Sequence, residues 1–283
     1  MTTSTDSDSA PTESQQTPPD KPAEFPMLID ELRLVKTRPT DAVWQWLGRG
    51  WADTKACWSV SATYAFLFTL VDFLISFGFY FMDLPYLILP ALSGFLLVGP
   101  ALGVGFYEIS RIREAGGKPT LRDALFAYRR NTLGIMGLGV FLVFLFQVWI
   151  RLSFTVAALN FPGVSPDWGS IIHRALTTFD GVTFAISITC LGAVFATIIF
   201  LGGAFSMPMM VDRRTVLVPS LLTSVVAVSR NRQSCLLWAL MIVVFTGIGL
   251  ITLGFGLILM FPLIGHATWH AYKDVIGAAE ASS

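Results

Sequence analysis

The chain has 283 residues, of which 54% are hydrophobic and only 13% are charged, and its mean hydropathy is +0.65. A soluble domain is about 45–50% apolar and about 25% charged, so this composition excludes a soluble enzyme, a nucleic-acid-binding protein and a disordered chain. It predicts a polytopic helical membrane protein, with the lipid bilayer as its first partner. The formal net charge is zero, so we expect no nucleic-acid partner.

The start of the chain is polar and is predicted to lie outside the membrane. Residues 1–26 are rich in Ser, Thr, Pro, Asp and Glu, and they cannot bury enough apolar surface to offset the entropy of ordering. We therefore expect a disordered cytoplasmic tail. The sequence divides into four parts: this tail, cytoplasmic and interfacial helices over 27–57, a transmembrane domain over 58–272, and a short cytoplasmic tail over 273–283.

Two helices are predicted between the tail and the first span. A short one covers residues 27–37, and a second, amphipathic one covers about 41–56. Trp44, Trp46 and Trp51 place the second helix in the membrane interface, because Trp rings favour the headgroup level. An ordinary soluble helix is the alternative.

Six apolar stretches predict six transmembrane helices in an all-α fold, because each is close to the roughly 20 residues that cross a bilayer. They cover about 58–81, 86–109, 132–159, 182–207, 234–251 and 254–271. The last two form one apolar run. As a single helix this run would be about 50 Å long, well beyond a bilayer core of about 30 Å. We divide it into a hairpin at its central glycines; the alternative is one tilted helix.

The distribution of basic residues sets the orientation. Seventeen of the 19 Lys and Arg residues lie in segments that a six-span topology assigns to one side, and Arg151 and Arg174 lie on the other. Basic residues remain on the cytoplasmic side, so both termini are predicted to be cytoplasmic.

A weak internal repeat links two cytoplasmic segments. Leu121, Ala127, Arg130 and Asn131 recur 100 residues later, each between an inward-running and an outward-running span; their counterparts are Leu221, Ala227, Arg230 and Asn231. Because both copies run in the same direction, we interpret them as a parallel repeat, a feature of some transporters.

Several motifs carry a family resemblance. They are WQWLGRGWAD (44–53), GFLLVGPALGVGFYEISRIREAG (94–116), LRDALFAYRRN (121–131), WIR (149–151), SMPMMVDR (206–213), LLTSVVAVSRN (221–231) and PLIGHATWH (262–270). This pattern resembles domain-of-unknown-function 2189, a bacterial integral-membrane family. The resemblance implies a six-span protein of the bacterial cytoplasmic (inner) membrane and no established activity. Some members are labelled cytochrome c oxidase subunit I, but such a subunit needs haem and copper ligands on several spans, and this chain has three histidines.

A polar cluster is predicted where the inward-running spans end. His266 and His270 are four residues apart on one helix face, a spacing that can supply two ligands to a metal or haem. Glu108 and Asp212 end two other spans at similar depth, with Arg111 and Arg213 at the rim. The alternative is that the histidines bond backbone carbonyls at helix ends. We favour this alternative and expect no bound metal or other cofactor, because two histidines without a third ligand are common by chance.

A second candidate is a buried ion pair. Asp72 in the first span and Arg151 in the third lie at comparable depth, and a charge inside a membrane is normally paired. We interpret them as a structural pair that joins the two spans; a proton or ion relay is the alternative.

Three functional classes remain open. The first is a non-enzymatic scaffold or accessory protein, with a respiratory complex as one conceivable partner, and it fits the scarcity of polar groups within the spans. The second is a transporter for a small solute or ion, which fits the repeat. The third is a haem- or metal-binding accessory protein, which depends on His266 and His270. We favour the first class.

Overall fold

The computed structural model is built from α-helices, and it contains no β-strand within the residues it describes. These are residues 32, 34–84, 92, 97–161, 173, 177–252 and 254–277. The helices are α1 (Ala42–Ala56), α2 (Trp58–Phe81), α3 (Val104–Glu114), α4 (Leu121–Leu125), α5 (Thr132–Asn160), α6 (Phe179–Gly203), α7 (Ser206–Arg213), α8 (Leu217–Arg230), α9 (Arg232–Ile251) and α10 (Leu257–Ile276). A 3-10 helix, Ala127–Arg130, precedes α5, and residues 97–102 are helical just before α3.

Four stretches are long and apolar enough to cross a membrane by length and composition. They are Trp58–Phe81, Thr132–Asn160, Phe179–Arg213 and Arg232–Ile251, and they correspond to the first, third, fourth and fifth predicted spans. In the most apolar 18-residue segment of each stretch, only 11–22% is buried inside the protein. Most of this apolar surface therefore faces outward. Outward-facing apolar side chains suit contact with lipid, and the all-α membrane class is confirmed for these stretches.

The other two predicted spans differ from these four. Residues 86–91 and 93–96 of the second lie outside the described residues, as does the predicted tail. The sixth corresponds to α10, which carries His266, His270, Lys273 and Asp274 in its second half. These polar residues lower the mean hydropathy of α10, and most of its second half is buried among other helices.

The final apolar run is divided into two helices, as the sequence predicts. Helix α9 ends at Ile251 and α10 begins at Leu257, and the two pack against each other. Gly254 between them has a backbone φ of +85°, a conformation that residues with a Cβ atom rarely adopt. The glycine therefore allows the turn that two separate helices require.

The buried core lies at one end of the molecule, where α1, α3 and α7 surround the second half of α10. Helix α1 covers the predicted range, but Trp46 lies in this core and not in the interface. Its ring meets that of Trp238 edge-on, 6.3 Å between centroids, and its Nε1 donates to Asp274 Oδ2 at 3.0 Å. Trp44 and Trp51, on the opposite face of α1, are exposed, so only they remain available to a membrane interface.

The first helix predicted in the chain falls mostly outside the described residues, and 35–39 have no regular secondary structure. The two segments of the suggested repeat also differ in form. Residues 121–130 make a short α-helix and a 3-10 helix, whereas Leu217–Arg230 is one continuous helix. In each segment an Asn follows at once: Asn131 caps α5 by accepting from Gly134 N at 3.1 Å, and Asn231 accepts from Arg38 N at 2.6 Å.

Helix α1 approaches α10 closely because Gly50 has no side chain. A Cβ placed on Gly50 would lie 2.6 Å from Ala267 N and 2.7 Å from Ala267 Cβ. Since real contacts are never this short, the backbones could not keep their separation with any larger residue at position 50. Gly265 plays the same part on the other side of α10, where an added Cβ would lie 2.6 Å from the Phe106 side chain.

We expect Gly50→Ala to lower the free energy of unfolding by about 1–3 kcal/mol, the usual cost of overpacking a core. Gly48→Ala is the matched control, because Gly48 is exposed on the same helix and an added Cβ meets nothing within 4 Å. The control should be neutral or stabilising, since Ala is the better helix former. Unfolding of the detergent-solubilised variants measures both values. Equal effects of the two substitutions would show that α1 and α10 are not in close contact.

Candidate functional site: a buried histidine network

His266 is fully buried between three helices, and both of its ring nitrogens are hydrogen-bonded. Its Nε2 lies 2.9 Å from Ser61 Oγ on α2, and its Nδ1 lies 2.7 Å from Ser110 Oγ on α3. The ring also meets Phe106 edge-on, with centroids 5.6 Å apart. One side chain of α10 therefore joins α2 and α3 at the same depth.

The partners of Ser110 assign the tautomer of His266. Ser110 donates its single hydroxyl proton to Asp53 Oδ2 at 2.7 Å, because a carboxylate can only accept. The Ser110 oxygen must then accept, so the proton of His266 lies on Nδ1. Nε2 is left to accept from the Ser61 hydroxyl. In this arrangement the imidazole is neutral. Each side chain in the hydrogen-bonded series Ser61–His266–Ser110–Asp53 has a partner.

Asp53 on α1 is the centre of the network. Besides the Ser110 bond, its carboxylate pairs with Arg113 and accepts from His270 Nε2 at 3.0 Å. Burial raises the pKa of the Asp53 carboxyl, but the hydrogen bonds from His270 and Ser110 outweigh this, and its pKa lies below the ordinary value. The ionised carboxylate thus joins α1, α3 and α10.

A second cluster of charged side chains is built around Glu108 and Asp212. The Glu108 carboxylate accepts from Arg111 Nε at 2.8 Å and Nη2 at 2.7 Å, a bidentate pair. Arg130 Nε lies 3.8 Å from the same carboxylate. Asp212 Oδ2 accepts from the Tyr272 hydroxyl at 2.8 Å and from Lys273 Nζ at 3.3 Å. The two carboxylates are therefore neutralised by cations from several helices.

The six residues predicted for one polar pocket are divided between these clusters. His266 and His270 contact Ser61, Ser110 and Asp53, whereas Glu108, Arg111 and Asp212 belong to the charged cluster. Arg213 lies beside that cluster, where its guanidinium donates to the Gly277 carbonyl. In the described contacts Glu108 binds Arg111 and Arg130, and Asp212 binds Tyr272 and Lys273; neither carboxylate is hydrogen-bonded to a histidine.

Within the part of the chain that the structure describes, no three His, Cys, Asp or Glu side chains are grouped so as to hold a metal ion. Both His266 nitrogens are already used by serine hydroxyls.

Asp72 and Arg151 form no ion pair with each other in the described structure. Asp72 is half-buried on α2 and Arg151 is exposed on α5. Helix α2 packs mainly against α10, while α5 packs mainly against α6, and this arrangement separates the two spans.

Sequence reasoning missed Asp53, Ser61, Ser110 and Arg113. A helical spacing places Asp53 on the same face of α1 as Val43, Trp46 and Gly50, and that buried face was the available signal for it. The serines carry no such signal, because an isolated Ser in an apolar helix is as often bonded to its own backbone.

Apolar outward-facing spans joined at one end by buried polar contacts define an integral membrane protein. Residues 88–212 match the model of the family described as "Predicted integral membrane protein (DUF2189)", which confirms the resemblance over that segment. The matched range includes Glu108, Arg111 and Asp212, and it ends before the histidines of α10. No curated protein and no solved structure matches the chain.

We expect Asp53→Asn to lower the free energy of unfolding by about 1–3 kcal/mol, because it removes the ionised acceptor that Ser110, His270 and Arg113 share. Asp41→Asn is the control, since Asp41 is exposed on the residue before α1 and makes no side-chain cap. Thermal and denaturant unfolding in detergent compare the two. A loss no larger than that of the control would mean that Asp53 does not join the helices.

The lowered pKa of Asp53 also predicts a pH dependence. A carboxyl whose folded pKa lies below its unfolded value of 3.8 contributes stability above that value and loses it as the pH falls through the folded pKa. The difference in unfolding free energy between wild type and Asp53→Asn should therefore shrink as the pH falls below about 4. A difference that grows on acidification would contradict the assigned charge state.

Proposed function

We propose that this protein is a non-enzymatic scaffold or accessory protein, embedded as a multi-pass protein in the bacterial cytoplasmic membrane. The observation that carries the proposal is that three buried ionisable groups are bound by other side chains of the protein. His266 has both ring nitrogens occupied, Asp53 accepts from three groups, and Glu108 is held by two arginines. These bonds stabilise the helix arrangement and leave none of the three groups directed at a substrate.

The membrane-embedded surface offers the area that a partner of such a scaffold would use. Large apolar side chains are exposed along α2, α5 and α9, among them Phe73 at 51%, Val140 at 69% and Leu236 at 73%. Within a bilayer, helices associate through packing and hydrogen bonds, so partner spans would lie against one of these faces.

A six-span topology with both termini in the cytoplasm is part of the proposal. The four long apolar stretches supply four spans, α10 supplies a fifth, and residues 97–102 with α3 form the inner part of another. The distribution of basic residues supports the orientation. The parallel repeat is supported by the buried Ala127 and Ala227 and by the asparagines that precede α5 and α9.

Site-specific photocrosslinking tests the scaffold role. A crosslinking amino acid placed at Phe73, Val140 or Leu236 probes one exposed face each, and a sample without irradiation is the control. We expect one face to yield a discrete adduct with one other membrane protein and the others to yield lipid adducts. Lipid adducts at all three positions, with the solubilised protein running as a monomer, would contradict the proposal.

Reporter fusions test the topology separately. Fusions at Ala115, Val216 and Ala279 should report the cytoplasm, and fusions at Asp83 and Pro166 should report the opposite side, because an even number of spans returns the chain to its starting side. An Ala279 fusion on the outer side would eliminate the hairpin of α9 and α10 as two membrane spans.

A further inference from the structure

A large apolar cavity lies between α6, α9, α10 and the segment that leads into α3. Its volume is about 1020 Å³, and its wall includes Leu97, Phe195, Leu236, Val243, Leu257 and Phe261. Leu236 and Val243 are themselves 73% and 66% exposed, so the cavity opens sideways, towards the surrounding membrane. A small polar solute would find few hydrogen-bond partners on such a wall, whereas a hydrocarbon chain would be matched to it.

The cavity follows α9 for most of the length of that span. Its lining residues on α9 run from Arg232, the first residue of the helix, to Leu250, next to the last. At 1.5 Å per residue this distance is about 27 Å, close to the thickness of a bilayer core. The cavity therefore runs in the direction of the lipid acyl chains, and it is long enough to hold a chain of one leaflet, which spans about half of that core.

The side chain of Arg232 places a positive charge at one end of the cavity. Arg232 is exposed, and as the first residue of a span it lies at a membrane surface in either orientation of the chain. Its Nε donates to the Ser229 carbonyl at 3.1 Å, and its guanidinium forms no salt bridge with any described carboxylate. Guanidinium groups bind phosphate through paired N–H donors, and the remaining Arg232 donors have that chemistry.

We propose that this cavity is a binding site for an anionic glycerophospholipid, with its phosphate at Arg232 and an acyl chain along α9. The neutral, apolar wall explains the chain, and the cation at the end explains the preference for a negative headgroup. The site goes beyond the scaffold role and does not depend on it, because a bound lipid is retained whether or not a protein partner is present.

Two pairs of variants separate the headgroup from the chain. Arg232→Gln removes the cation, and Arg129→Gln is its control, since Arg129 is exposed, stacks on Phe126 and does not line the cavity. Gly247→Leu adds a side chain to the cavity wall, where an added Cβ meets nothing within 4 Å. Gly139→Leu is its control: the same free space surrounds this glycine inside α5, away from the cavity.

The experiment measures lipid retention by purified protein. Delipidated protein in detergent is titrated with dioleoyl phosphatidylglycerol or dioleoyl phosphatidylcholine, and bound lipid is counted by native mass spectrometry, with gel filtration as a check on folding. We expect wild type and both controls to prefer phosphatidylglycerol. Arg232→Gln should reduce that preference about fivefold, the effect of one basic residue at a charged headgroup, and Gly247→Leu should lose binding of both lipids.

Three outcomes would overturn the proposal. They are equal binding of the two lipids by wild type, an unchanged preference in Arg232→Gln, and a folded Gly247→Leu protein that binds lipid as Gly139→Leu does. A loss of folding in Gly247→Leu alone leaves the Arg232 comparison as the deciding measurement. A negative result here would not change the photocrosslinking result, so the lipid site and the scaffold role are tested independently.

Discussion

The rest of the structure depends on the burial of a polar half-helix, the second half of α10, between α1, α2 and α3. Gly50 and Gly265 allow the neighbouring helices to approach, and His266 and His270 then reach partners on all three. Close backbone contact and hydrogen bonds are coupled here: without the glycines the serine and aspartate oxygens would lie too far from the imidazoles. Without the hydrogen bonds, the buried imidazoles would be left unsatisfied at a cost of about 1–3 kcal/mol per group.

This arrangement divides the molecule into a closely packed end and a part whose apolar surface faces outward. The four long apolar stretches bury little of their surface inside the protein, whereas the end that contains α1, α3 and α7 holds the large buried aromatic residues and most buried polar groups. Lipid surrounds apolar helices as readily as protein does, so apolarity alone does not fix their relative positions. Directional hydrogen bonds at the closely packed end supply the specificity that the apolar spans lack.

The sequence predicts the spans better than it predicts the site. Four spans and the break between α9 and α10 follow from apolar run lengths and from the glycines at the turn, which are local features. The histidine network is not local: Ser61 lies 205 residues from His266, and Asp53 lies 217 residues from His270. Glu108 was predicted to lie near His266 because both end their spans at similar depth. In the structure the Glu108 carboxylate binds Arg111, one turn away on the same helix.

The same limit explains the placement of Trp46. A tryptophan near a membrane entry is equally compatible with the interface and with a core, and only the neighbour Trp238 and the acceptor Asp274 decide between them.

A double-mutant cycle on Asp53→Asn and His270→Gln tests the central claim, the coupling of α1 to α10, most directly. The account predicts a coupling energy of about 1–3 kcal/mol in the free energy of unfolding. Losses that add to within about 0.5 kcal/mol would contradict it, because residues that do not touch behave independently.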